Sequence, residues 1–127
     1  MDYPTDYKYT KEHEWINADG ASATIGITHH AQESLGDIVF VELPKVGAQL
    51  TAGKPFSSVE SVKAVSDLFA PASGTVTEVN GELTSAPEKI NQNAHSAWIV
   101  KITLKDPNER NSLLSAADYE KFVAEEG

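Results

Sequence analysis

The chain has 127 residues, 40% hydrophobic and 23% charged, which suits one compact domain and leaves no room for a second. No apolar run approaches the ~20 residues that cross a bilayer, and Met1-Asp2-Tyr3-Pro4 lacks the basic start of a signal peptide and the Arg-rich pattern of a transit peptide, so the chain reads as neither membrane-spanning nor exported. The absence of cysteine excludes disulfides, thiolate metal sites and cysteine nucleophiles, and a net charge of −9 disfavours nucleic acid and anionic membranes, leaving proteins with basic surfaces or cationic small groups as partners.

In chain order, residues 12–17 and 21–27 read as strands of a hairpin about the turn-rich Asn17-Ala18-Asp19-Gly20. Alternation along the first strand sets Glu12 and Glu14 on one face and His13 on the other. That separation argues against a metal site in the Glu-His-Glu run, and His29, His30 and His95 read as surface or packing residues. Thr28 caps a short helix over 29–35 that Gly36 ends, and 37–43 is a β-branched and aromatic strand closed by Pro44. From 46 to 83, short strands are punctuated by Gly47, Gly53, Pro55, Pro71, Gly74 and Asn80-Gly81, the spacing of a small barrel or sandwich. A half-buried strand over 98–104, a turn at Asp106-Pro107-Asn108 and a helix over 116–125 with the stripe Tyr119, Phe122 and Val123 complete a mostly β domain. Trp15, Phe40, Phe56 and Trp98 are expected in the core.

The segment 43–76 carries the most information: Leu43-Pro44-Lys45-Val46-Gly47, Leu50-Thr51-Ala52-Gly53, Val59-Glu60-Ser61-Val62-Lys63-Ala64 and Ala70-Pro71-Ala72-Ser73-Gly74-Thr75-Val76. On local chemistry alone Lys63 is one more solvated lysine, since Val62-Lys63-Ala64-Val65 holds none of the Gly, Asn or Asp that announces a turn. The order of spaced glycines around a Val-Glu-x-x-Lys-Ala core, however, resembles the lipoyl and biotinyl carrier domains. The resemblance implies a flattened barrel-sandwich hybrid with Lys63 at a hairpin tip. Biotin carriers usually flank the lysine with methionine. Here Val62 and Ala64 flank it, with Glu60 three residues upstream, which favours lipoate and assigns Glu60 and Ala64 to recognition by the modifying ligase.

Three further stretches narrow the resemblance to the H-protein family of the glycine cleavage system: Tyr9-Thr10-Lys11-Glu12-His13-Glu14-Trp15, Thr24-Ile25-Gly26-Ile27-Thr28, and Leu35-Gly36-Asp37-Ile38-Val39-Phe40-Val41-Glu42-Leu43-Pro44. The likeness runs from about residue 7 to about 123. It implies one lipoyl-binding domain over 1–127, with a core at about 7–104 and a helical extension at about 112–126. The chain departs from the family at His29, where an acidic residue is usual, and in Asn91-Gln92-Asn93-Ala94-His95-Ser96-Ala97-Trp98, which keeps the tryptophan without the usual Pro-Tyr and Gly.

The resemblance further implies a non-catalytic carrier with lipoate amide-linked to Lys63. Such a carrier takes the aminomethyl group of glycine from a pyridoxal-phosphate glycine decarboxylase (P protein) to a folate-dependent aminomethyltransferase (T protein), and dihydrolipoyl dehydrogenase (L protein) reoxidises the dithiol. A lipoyl ligase or transferase modifies the lysine. Glu14 and Asp67 match acidic positions that line the arm's cleft in the family, with Glu12 as a third candidate. A protonated amine held by carboxylates there resists expulsion of its sulfur and hydrolysis. A monomer in the bacterial cytoplasm is expected, or in the mitochondrial matrix for a mature organellar form. The alternative is an H-like lipoyl donor that supplies lipoate to 2-oxoacid dehydrogenases.

Overall fold

A computed structural model describes residues 3–126. Met1 and Asp2, part of the opening read for a leader, lie outside them, as does Gly127. Strands β1 (Lys8–Tyr9), β2 (Glu14–Asp19) and β3 (Ser22–Ile27) come first, then helix α1 (His29–Leu35) and β4 (Ile38–Glu42). Next come β5 (Gln49–Leu50), β6 (Pro55–Ser61), β7 (Val65–Phe69) and β8 (Gly74–Val79). Two short helices, α2 (Glu82–Ser85) and α3 (Lys89–Gln92), precede β9 (Val100–Leu104), a 3-10 turn (Pro107–Ser112) and α4 (Ala116–Glu126).

The strands form two antiparallel sheets, in the orders β1-β2-β3-β9-β8-β5 and β4-β6-β7, and neither closes into a barrel. Ile16, Ile25, Val76 and Ile102 of the larger sheet share one core with Val41, Val59 and Leu68 of the smaller. Leu83 of α2 and Ile90 of α3 join the same core. Each such side chain contributes roughly 1.5–3 kcal/mol on leaving water, so this shared layer fixes how the sheets face each other. The mostly β architecture expected from the sequence is the one observed.

Several local expectations are corrected. The first hairpin turns later than the Asn17-to-Gly20 signal suggests: Asp19 pairs with Ser22, leaving Gly20-Ala21 as the loop. Gly20 has φ +63° and Ala21 a negative φ, the combination of a type II′ turn that suits the twist of two strands. Phe40 is not a core aromatic, being 50% exposed. The strand irregularity between Ile38 and Phe40 changes which side chains face inward. Helices α2 and α3 answer to no signal in the sequence, and the turn at 106–108 leads directly into 3-10 structure.

A second cluster packs α4 against the first strands: Tyr9, Trp15, Ala116 and Tyr119 are buried, with Tyr3, Tyr7, Trp98 and Phe122 around them. Tyr9 and Tyr119 stack at 4.8 Å and Tyr7 and Trp15 at 4.6 Å. Gly26 is required here, because a Cβ would stand 2.6 Å from the Trp15 ring.

Candidate functional site

Lys63 sits in the turn joining β6 to β7, where Glu60 pairs with Val65 and the Ser61 N–H donates to the Ala64 carbonyl at 2.8 Å. No glycine or asparagine makes this turn. Instead the Ser61 hydroxyl accepts from the N–H groups of Lys63 (3.3 Å) and Ala64 (3.1 Å) and donates to the Ala64 carbonyl. A serine side chain thus supplies locally the bonds a tight turn otherwise draws from backbone alone. The Val62 N–H donates to Asp37 O at 3.1 Å, tying the turn to the approach of β4. Val62, Lys63, Ala64 and Val65 are all exposed. The turn therefore holds its backbone while leaving the lysine amine accessible.

Behind the turn, Gly36 ends α1 with φ +81° and its N–H on Gln32 O. The Lys63 side chain passes over it, with Cε 3.6 Å from where a Cβ would be. A cleft of about 270 Å³ opens beside this point between α1 and β7. Ile27, Ala31, Leu35 and Leu68 give it apolar walls, and Glu12, His13, His30 and Ser66 edge it with polar groups.

Glu14 lies further along, buried at 1% exposure. Its Oε1 accepts from the Thr10 hydroxyl at 2.6 Å and its Oε2 from the Phe69 N–H at 3.2 Å. Burial pushes its pKa up to about 7, against the pull of those two hydrogen bonds, and the nearby Glu12 charge adds to the rise. The carboxyl borders a second cavity, of about 390 Å³, together with Glu12, Phe69, Ala70 and Glu109. Glu12 edges both cavities and Glu14 only this one.

The shared strand face expected for Glu12 and Glu14 does not exist. The His13 N–H donates to Thr10 O and His13 takes φ +70°, so residues 10–13 form a turn and β2 begins at Glu14. A left-handed conformation costs a non-glycine residue about 1–2 kcal/mol. The 2.7 Å bond between His13 Nδ1 and the Tyr119 hydroxyl helps hold it. Glu12 is exposed on the turn instead of belonging to the strand.

Asp67 is exposed and paired with Ser58, and it borders a third cavity with Glu42, Phe56 and Ser58. The structure does not bring Asp67 and Glu14 to one cavity. Alternation along β7 sends Ser66 and Leu68 toward the first cleft and Asp67 to the opposite face. Sequence reasoning passed over Ser61 and Thr10, whose hydroxyls organise the turn and the buried carboxyl. The available signal was a serine or threonine placed two to four residues before the N–H groups that need a partner.

Residues 7–126 match the family model described as Glycine cleavage H-protein. The chain is 71% identical to the glycine cleavage system H protein of Koribacter versatilis, over 99% of this chain and 98% of that one. It is 66% identical to that of Acidobacterium capsulatum, with the same coverage. Among solved structures, the glycine cleavage system H protein of Mycobacterium marinum is similar with a TM-score of 0.87 at 41% identity, covering 96% of this chain and 99% of that one. Among the described residues no helix is long and apolar enough to cross a membrane.

Proposed function

The chain belongs to the glycine cleavage H-protein family, the lipoyl carriers of glycine cleavage, and from that premise we propose that Lys63 is its lipoyl attachment residue. The single observation that carries this is an exposed lysine on a turn held by Ser61, with a mostly apolar cleft opening beside it. Attachment requires Nζ to lose a proton, attack the carbonyl carbon of an activated acyl donor and expel its leaving group, leaving an amide. Val62, Ala64 and Val65 place no fixed charge against that step.

The residues present fit the group. An extended lysyl-lipoyl chain of about a dozen bonds reaches roughly 15 Å, enough to lie along the cleft between α1 and β7. Lipoate held there would supply a disulfide able to accept the aminomethyl group. Ile27, Ala31, Leu35 and Leu68 would shield the part of the chain that lies against them from water. With its pKa raised to about 7, Glu14 shares a proton with solvent near neutral pH, and a cationic amine within hydrogen-bonding distance would shift it to the carboxylate, since a fixed positive charge favours that form. Glu12 and Asp67, both exposed, add negative potential on either side of β7. Glu60 and Ala64 bracket the turn for recognition by a lipoyl ligase or transferase. The partners proposed for the loaded carrier are the glycine decarboxylase, the aminomethyltransferase and dihydrolipoyl dehydrogenase.

Replacing Lys63 by Arg keeps the charge and removes the acceptor. Glycine decarboxylation reconstituted with the partner enzymes is expected to fall to background with Lys63→Arg. Wild-type rates with that variant would refute the assignment.

A further inference from the structure

Of the large apolar side chains exposed among the described residues, Val62 (69%) and Val65 (66%) flank Lys63 along the chain, and Val39 (48%) and Phe40 (50%) lie on β4, which pairs with the end of β6 that leads into the turn. Their arrangement follows from strand register. Residues opposite one another on neighbouring strands share a face, so Phe40, Glu60 and Val65 form one row on the side of β4-β6-β7 away from the core. Glu42, Ser58 and Asp67 form another row on that same side. Between them Val41 and Val59 point inward and are buried. The outer face next to the lysine thus sets Phe40 and Val65 on either side of the Glu60 carboxylate, with the Glu42 and Asp67 carboxylates in the next row.

We propose that this face is the docking surface of the enzyme that attaches the lipoyl group, and that the enzyme covers it with an apolar collar flanked by Lys or Arg side chains. The proposal rests on the reading of Lys63 as the acceptor. Reach selects this occupant. An unmodified lysine extends about 6 Å from its Cα through five bonds, so an enzyme acylating Nζ must come against the turn and its immediate neighbours. An enzyme acting at the far end of the finished arm, roughly 15 Å out, is under no such constraint. Charge selects the partner's chemistry: Glu60 stands between Phe40 and Val65, Glu42 and Asp67 lie in the next row, and basic side chains complement them in a chain of net charge −9. Phe40 is the anchor, because a half-exposed aromatic loses its remaining water on docking, and aromatic side chains dominate interface energetics.

The test is the steady-state rate of lipoylation of the purified unmodified protein by a lipoyl-attaching enzyme with activated lipoate. Phe40→Ser is expected to lower kcat/KM about tenfold, mostly through KM, while Phe40→Leu restores most of the loss. Glu42→Lys is expected to raise KM by an amount that shrinks as salt is added. Val46→Ser, which removes an exposed valine outside this face, is expected to change neither constant. A Phe40→Ser protein lipoylated like wild type overturns the docking face. So does a loss that Phe40→Leu does not repair and that follows a lowered melting temperature. If wild type takes no lipoate at Lys63, the acceptor reading falls and the docking face with it. A wild type modified at Lys63 beside an equally modified Phe40→Ser overturns the docking face alone.

Discussion

The turn at Lys63 and the corner at Glu14 are built in opposite ways. The turn is short-range: Ser61 bonds only residues two and three ahead of it, and one backbone bond to Asp37 ties it down. Everything at its tip is exposed. The corner is long-range, joining Glu14 of β2 to Phe69 of β7, His13 to Tyr119 of α4, and Trp15 Nε1 to the Ala94 carbonyl at 3.1 Å. Among its side chains Glu14, Trp15 and Tyr119 are almost completely buried. On the proposed reading of Lys63 and Glu14 a carrier gains from this division, because a modification site must present itself to enzymes before it can be used, whereas a group proposed to hold a reactive amine works best out of water.

The comparison is broken most severely at the corner. Tyr119 is fully buried, stacks on Tyr9 and bonds the side chains of His13 and Thr28. Tyr119→Ala is expected to cost about 3–5 kcal/mol of stability in denaturant unfolding, the range for emptying a large aromatic site. Lipoylation of the fraction still folded should be unchanged. If acylation of the folded protein fails in parallel with stability, turn and corner are one unit and the division is wrong.

The buried carboxyl gives a pH signature. Its folded pKa of about 7 lies above the unfolded value of 4.5, so between those values the native state holds a proton that the unfolded chain has lost. Stability from this group is therefore fully present below pH 4.5 and is lost as pH rises through 7, a change of roughly 3 kcal/mol. Unfolding followed from pH 4 to pH 8 should show this decline in wild type and its absence in Glu14→Gln. An unchanged slope in the variant would assign the effect to another group. The lifetime of the loaded carrier in buffer without the transferase should also shorten in Glu14→Gln and change less in Asp67→Asn, which borders a different cavity. Equal lifetimes for wild type and Glu14→Gln would remove the carboxyl from the holding role.

The turn shows the smallest effect. Ser61→Ala removes the hydroxyl that serves Lys63 and Ala64, at a cost of about 1 kcal/mol. Lipoylation should slow only a few-fold, since the amine stays exposed. Complete loss of modification would show that the hydroxyl does more than shape the turn.

Legibility in the sequence follows the same division. The strands of 46–83 were readable because glycine and proline mark their ends, and the helix over 29–35 because Thr28 caps it, accepting from the Ala31 N–H. The hairpin at Lys63 came from resemblance, although Ser61 was a local signal open to use. The corner was illegible. His13 adopts a positive φ that no residue pattern near it announces, and this moved Glu12 off the strand face shared with Glu14. Aromatic character alone points Phe40 to the core, and the irregularity in β4 that exposes it depends on pairing with β6. Helices α2 and α3 are four residues each, too short for a period to register, and their order comes from Leu83 and Ile90 entering the core.

The central claim is that the exposed turn lysine, and no other, is the acceptor. Peptide mass mapping of the wild-type protein and Lys63→Arg after incubation with lipoate, ATP and a lipoyl-attaching enzyme tests it directly. The account predicts one lipoyl group on the peptide containing Lys63 and none on the variant. Lipoate on any other lysine of the wild type, or on the variant, would contradict it.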